Sequence, residues 1–123
     1  MDYRTNAEVF ADLKGRTLVR IERDYAGDEK LTFTTDDGKE FLMYHEQDCC
    51  ETVLIESIVG DLDDLLNTPI TMAEVAANNS ENGDMSQTWT FYKLATIKGY
   101  VDIRWFGTSN GYYSESVSFV EVK

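Results

Sequence analysis

His45, Asp48, Cys49, Cys50 and Glu51 bring imidazole, thiol and carboxylate together within one short stretch of the sequence. Thiolate, imidazole and carboxylate together can hold Zn²⁺ or another borderline ion, with His45, Asp48, Cys49 and Cys50 as the candidate metal ligands. The spacing argues against this. Structural zinc sites pair cysteines roughly two to four residues apart and add a second pair. This chain has Cys 2 and His 1 in all, and adjacent cysteines on a strand point to opposite faces. The competing reading is a strand end where one cysteine packs inward and His45 or Asp48 satisfies the backbone of a turn. A cysteine nucleophile with His45 as its base is a third reading, opposed by the acids Glu46, Asp48, Glu51 and Glu56, which disfavour a thiolate. Two free thiols are expected, because a vicinal disulfide closes a strained ring and an intracellular compartment keeps thiols reduced.

A second constellation is aromatic and basic: Tyr92, Arg104, Trp105, Asn110, Tyr112 and Tyr113 around the Ser109-Asn110-Gly111 turn. Flat rings with Arg and Asn can stack and hydrogen-bond a nucleotide-like ligand. The same residues also suit a half-buried sheet with exposed Tyr hydroxyls. Asp61, Asp63 and Asp64 lack the oxygen ladder and closing Glu of a calcium loop, and read as the acidic start of a helical turn. No Gly-rich phosphate loop, Ser-centred elbow or metal-helix motif occurs, and no cofactor is implied.

The chain of 123 residues carries a formal net charge of -12, with 42% hydrophobic and 12% aromatic residues. That composition supports one core and excludes disorder for most of the chain. Direct binding to nucleic acid or to an anionic membrane is disfavoured, since both attract Lys and Arg. The charge is segmental. Residues 1–30 hold 7 acidic and 6 basic residues, residues 31–90 hold 13 acidic residues and only Lys39, and residues 91–123 hold 3 acidic and 4 basic. Such a segment can form a one-sided field that steers a basic protein partner. The candidate partner-binding residues are Asp36, Asp37, Glu40, Glu46, Glu51, Asp61, Asp63 and Asp64.

The elements that position these groups follow from periodicity. Asn6 as N-cap, apolar residues to Leu13 and Gly15 beyond predict a short helix within residues 1–14. Leu18–Arg23, Leu31–Thr34 and Phe41–His45 alternate as strands, joined by an Ala26-Gly27-Asp28 turn and an Asp37-Gly38 turn expected to be type I′. Thr52–Val59 is a strand ended by Gly60 and Asp61–Asn67 one helical turn. Ile70–Ala77 is ambiguous, since Ile70 and Met72 alternate as in a strand while Ala73-Glu74-Val75-Ala76-Ala77 favours helix; strand is the preferred reading. Residues 78–87 are polar and read as a mobile loop. Trp89–Thr96 and Val101–Trp105 form a hairpin about Lys98-Gly99, Gly107–Gly111 a turn, and Val117 with Phe119 a last strand. The expected architecture is α+β, a single domain over 1–123 dominated by twisted, mostly antiparallel sheet with one or two short helices.

Two stretches carry a resemblance. Met43-Tyr44-His45-Glu46-Gln47-Asp48-Cys49-Cys50-Glu51 runs on to Gly60-Asp61-Leu62-Asp63-Asp64-Leu65, and Trp89–Gly99 is followed by Arg104-Trp105 and Ser109–Ser114. Over roughly Leu13 to Phe119 the chain resembles a family of small bacteriophage- and prophage-encoded proteins, a domain of unknown function. The resemblance implies an accessory phage protein in a bacterial cytoplasm and passes on no site residue. With no signal-peptide run after Met1 and no transmembrane stretch, the expectation is a cytoplasmic, non-catalytic interaction protein, regulatory or counter-defensive. Its alternatives are a small-ligand binder and, behind it, a metal protein.

Overall fold

Alternation of buried and half-buried residues runs through Leu31, Phe33 and Thr35, then Phe41, Met43 and His45, and again from Thr90 to Thr96 and Val101 to Ser109. This is the signature of strands with one face on a core. The computed structural model describes residues 5–24, 29–83 and 85–122. Its elements are helix α1 (Asn6–Ala11), strands β1 (Leu18–Asp24), β2 (Lys30–Thr35), β3 (Glu40–Tyr44) and β4 (Thr52–Val59), a 3₁₀ turn (Leu62–Leu65), and strands β5 (Met72–Asn82), β6 (Met85–Thr96), β7 (Gly99–Ser109) and β8 (Ser118–Val122). They form two four-stranded antiparallel sheets, ordered β1-β2-β3-β8 and β4-β7-β6-β5. The α+β reading, dominated by antiparallel sheet, is therefore correct.

The inner faces of both sheets supply one core. Phe33, Phe41, Met43 and Phe119 come from the first sheet and Tyr92, Leu94, Ile103 and Trp105 from the second. The Trp105 Nε1–H donates to Met43 Sδ at 3.2 Å, and Phe119 stacks on Phe41 with ring centroids 5.6 Å apart. Helix α1 adds Val9, Phe10 and Leu13; Phe10 meets Tyr92 at 4.8 Å and Phe119 at 5.0 Å, edge to face. A helix of this length needs such packing and a good cap. The cap is Thr5, one residue before the expected Asn6: its side chain accepts from Glu8 N–H and the Glu8 carboxylate accepts from Thr5 N–H.

Three local expectations change. The described residues of the polar stretch 78–87 are no loop. They form the far end of the β5–β6 hairpin, paired from Asn78↔Trp89 to Asn82↔Met85, since ladder bonds need only main-chain groups. The Asp37-Gly38 hairpin is present, but only Gly38 has positive φ there, at 88°. Gly38 N–H donates to Thr35 O at 3.1 Å, so the turn is not type I′, which needs two positive φ values. Gly107 to Ser109 belong to β7, so the turn begins at Asn110. The Ala26-Gly27-Asp28 turn and residues 1–4 of the helical segment lie outside the described residues. Gly60 ends β4 as expected, at φ 99°, where any Cβ would run into Tyr100 O.

The two ends of β3 lead to different regions of the molecule. At its Glu40 end, Asp36 N–H donates to Thr17 O at 2.9 Å, and Asn67 N–H to Leu18 O at 2.7 Å. Thr17 also bridges Pro69, so the β2–β3 turn and the 3₁₀ turn share one end of the molecule. At its Tyr44 end the chain leaves the sheet as the segment 45–51.

Candidate functional site

Segment 45–51 folds around one carboxylate. Glu51 is buried, and its Oε1 accepts from Cys49 N–H at 2.9 Å and from the Gln47 amide at 3.0 Å. Its Oε2 accepts from Asp48 N–H at 3.0 Å and faces His45 Nε2 at 2.9 Å. Gln47 Nε2 also donates to Glu51 O at 2.6 Å. Burial alone would raise the Glu51 carboxyl, but the N–H groups of Cys49 and Asp48, then His45, outweigh it and hold it down to about 2. The second ring nitrogen of His45 lies 2.6 Å from Ser116 O. Ser116 O and the Glu51 carboxylate are both acceptors, so the His45 ring links them through its N–H, on the nitrogen that the tautomer sets. A carboxylate ringed by hydrogen-bond donors is how a buried charge is tolerated.

His45 thereby joins the motif to segment 114–117, which leads into β8 outside the sheets. Side chains hold that segment. Val117 O accepts from the Tyr92 hydroxyl and from the Asn6 amide, both at 3.2 Å, and burial pushes the Tyr92 hydroxyl up. The buried Glu115 carboxylate accepts from Ser109 Oγ, from Thr88 Oγ1 at 2.7 Å and from Ser86 Oγ at 3.3 Å. Gly107 makes room for it: a Cβ there would stand 2.9 Å from Glu115 Cβ. A polar cleft of about 380 Å³ opens between Glu46, Asp48, Ser114, Ser116 and Ser118. On the other side of the segment a groove of about 510 Å³ runs between α1 and β5.

The proposed metal ligands share this segment, but their donor atoms are committed. Both His45 nitrogens face Ser116 and Glu51, and Cys49 and Cys50 are joined by a disulfide. Among the described residues no group of three or more His, Cys, Asp and Glu stands together to hold a metal. Free thiols were expected, and this is corrected. The cysteines occupy a bend before β4, not a strand, and the bend directs the sulfurs toward each other. The inward-packing cysteine is also corrected, since Cys49 and Cys50 are both exposed. Neither His45 nor Asp48 satisfies the turn N–H groups; Glu51 does.

The acidic set divides. Glu51 is buried and cannot meet a partner, a correction to its place in that set. Glu46 is exposed at the Tyr44 end of β3. Asp36, Asp37, Glu40, Asp61, Asp63 and Asp64 come to the opposite end, Asp64 half-buried and the rest exposed. Asp61 caps the 3₁₀ turn through Asp63 N–H at 2.9 Å. The Thr35 hydroxyl, outweighing a small burial effect, and then Arg16, lower the Asp37 carboxyl; Arg16 Nη1 lies 3.5 Å from it.

The aromatic and basic constellation is not one pocket. Tyr92 and Trp105 are core residues with 0% and 1% exposure. Arg104 lies on the opposite face of β7, over the Phe91 ring at 5.1 Å and 3.5 Å from Glu56. Tyr112 and Tyr113 pack on each other at 4.9 Å in the following loop, where the Asn110 side chain caps Tyr112 N–H at 3.0 Å. Period-two alternation already separates positions 104 and 105. Sequence reasoning missed Glu115, whose hydroxyl partners arrive from two other strands. It also missed Glu29, which takes Arg23 Nε at 2.8 Å and reaches across to Ile55 N–H at 2.8 Å, at the bulge in β4. Neither leaves a local signal.

Among the described residues no helix is long and apolar enough to cross a membrane. No curated protein and no solved structure matches the chain. The family model described as Domain of unknown function (DUF7448) matches residues 11–119, spanning both sheets, the Glu51-centred loop and the 3₁₀ turn, and the chain belongs to that family.

Proposed function

We propose that this is a non-catalytic accessory interaction protein of phage or prophage origin, working in a bacterial cytoplasm. Its acidic end engages a basic surface of a protein partner, in a regulatory or counter-defence role. The observation supporting this reading is topological. Asp36, Asp37 and Glu40 are separated in sequence from Asp61, Asp63 and Asp64, yet the Thr17–Pro69 bridge and the Asn67–Leu18 hydrogen bond bring both groups to one end. Against them stand Arg16, already paired with Asp37, Lys39 of the turn, and Lys98 of the β6–β7 turn, whose neighbours Thr96 and Gly99 touch Asp64. An exposed field in which one sign dominates speeds encounter with an opposite surface and is weakened by salt.

The test is retention of basic, heparin-binding proteins of a bacterial host lysate on the immobilised protein. One stoichiometric partner is expected at 0.1 M salt, lost at about 0.5 M. It should also be lost when Asp61→Lys, Asp63→Lys and Asp64→Lys are combined. Retention that survives both changes defeats this reading.

A further inference from the structure

Cys49 and Cys50 combine three features that the acidic end does not explain. Both are exposed, and they are joined to each other. The segment that carries them is anchored independently of the sulfurs, because Glu51 accepts from Cys49 N–H at 2.9 Å and from Asp48 N–H at 3.0 Å, while His45 ties Glu51 to Ser116. Opening the sulfur–sulfur bond therefore leaves two thiols side by side on a bend that is still held, ready to close again. Charge sets which reagents can approach. Glu46 and Asp48 stand exposed on the same short segment, the cleft beside it has no Lys or Arg among its lining residues, and the sequence has none between Lys39 and Lys93.

We infer that Cys49–Cys50 is a redox site that exchanges with thiols carried on cationic molecules or surfaces. A reagent thiolate attacks one Sγ, and the cysteine–cysteine bond breaks with its electron pair on the departing sulfur, which takes a proton from water. A second reagent thiolate attacks the mixed disulfide at the reagent sulfur and frees the other cysteine, which is protonated in turn. Two reagent thiols are oxidised to one disulfide, and the cysteine pair gains two electrons and two protons. Anionic thiolates approaching the two carboxylates are repelled, whereas a thiolate bearing a nearby ammonium is not.

The test uses the whole protein with cysteamine and mercaptoacetate as cationic and anionic probes, rates being expressed per thiolate. Thiol titration is expected to count no free thiol before reduction and Cys 2 afterwards, with the pair closing again within one chain on mild oxidation. At low salt cysteamine is expected to open the bond roughly tenfold faster than mercaptoacetate. That ratio should fall toward one in the Glu46→Gln/Asp48→Asn double variant and at high salt. These substitutions are exposed, so an unchanged melting curve confirms folding. Two thiols that stay free under oxidant, or cross-link chains instead, overturn the inference. So does a rate ratio that ignores the double variant.

Discussion

At the Tyr44 end of β3 a carboxylate is buried, surrounded by four donors and paired with the single histidine. At the Glu40 end, aspartates stand in solvent around a 3₁₀ turn. The amino acids are alike, and the consequences differ. Glu51 is an internal scaffold whose charge is consumed by N–H groups and His45. Asp61 satisfies one N–H and leaves its charge facing water. Buried charge contributes to folding through the groups it would leave unsatisfied if removed, while exposed charge contributes to encounter.

The contrast is sharpest in stability. Glu51→Ala should be the most damaging single change, lowering Tm by roughly 10 °C or more, because it orphans the Cys49 and Asp48 N–H groups and the His45 ring together. Thermal melting monitored by circular dichroism measures it; a melt like the wild type would make the two ends equivalent.

Acid separates the same regions. The folded Glu51 value, about 2, lies below its ordinary 4.5. Its contribution is therefore fully present above pH 4.5 and is lost as pH falls through about 2. Urea midpoints measured across that range should fall steeply in the wild type, and the Glu51→Gln variant should lose this component.

His45 gives a spectroscopic check with no assignment problem, because the sequence has His 1. Nitrogen-15 resonances of the imidazole should shift in the Glu51→Gln variant, because a neutral amide replaces the carboxylate that faces Nε2 at 2.9 Å. Resonances unmoved by that change would mean that the two side chains are not in contact. A smaller effect is expected for Tyr92→Phe, which removes one of two donors to Val117 O and should cost about 1 kcal/mol by denaturant titration.

The smallest effects belong to the exposed end. Asp61→Asn, Asp63→Asn and Asp64→Asn should each shift Tm by less than about 3 °C. The same changes should visibly weaken retention of a basic partner at low salt. If they destabilise as Glu51→Ala does, the acidic end is structural.

Legibility tracked the range of the forces involved. The strands at Leu31–Thr34, Phe41–His45 and Thr52–Val59 were readable because alternation is a one-strand property, and Gly60 marked its own turn. The hairpin after Asp37 was readable, but its turn type was not, because Lys39 and Thr35 close the loop differently. The polar residues 78–87 misled because polarity reports burial, and a hairpin end can pair without being buried. At the candidate site, the His45–Glu51 run was visible as a cluster of chemical groups. What each group does depends on Ser116, some 71 positions from His45.

By itself the sequence determined the sheet-rich class, the short capped helix, and the confinement of the charge surplus to residues 31–90. Those depend on residue type and spacing, which are local. Only the tertiary structure decided that Glu51 leaves the acidic surface to become a buried anchor, and that Tyr92 and Trp105 belong to the core while Arg104 faces outward. It alone brought Asp36 and Asp37 to the end of the molecule that carries Asp61, Asp63 and Asp64. The physical reason is that desolvation and field strength depend on neighbours in space, and those neighbours are set by strand order and by side-chain bonds between distant segments.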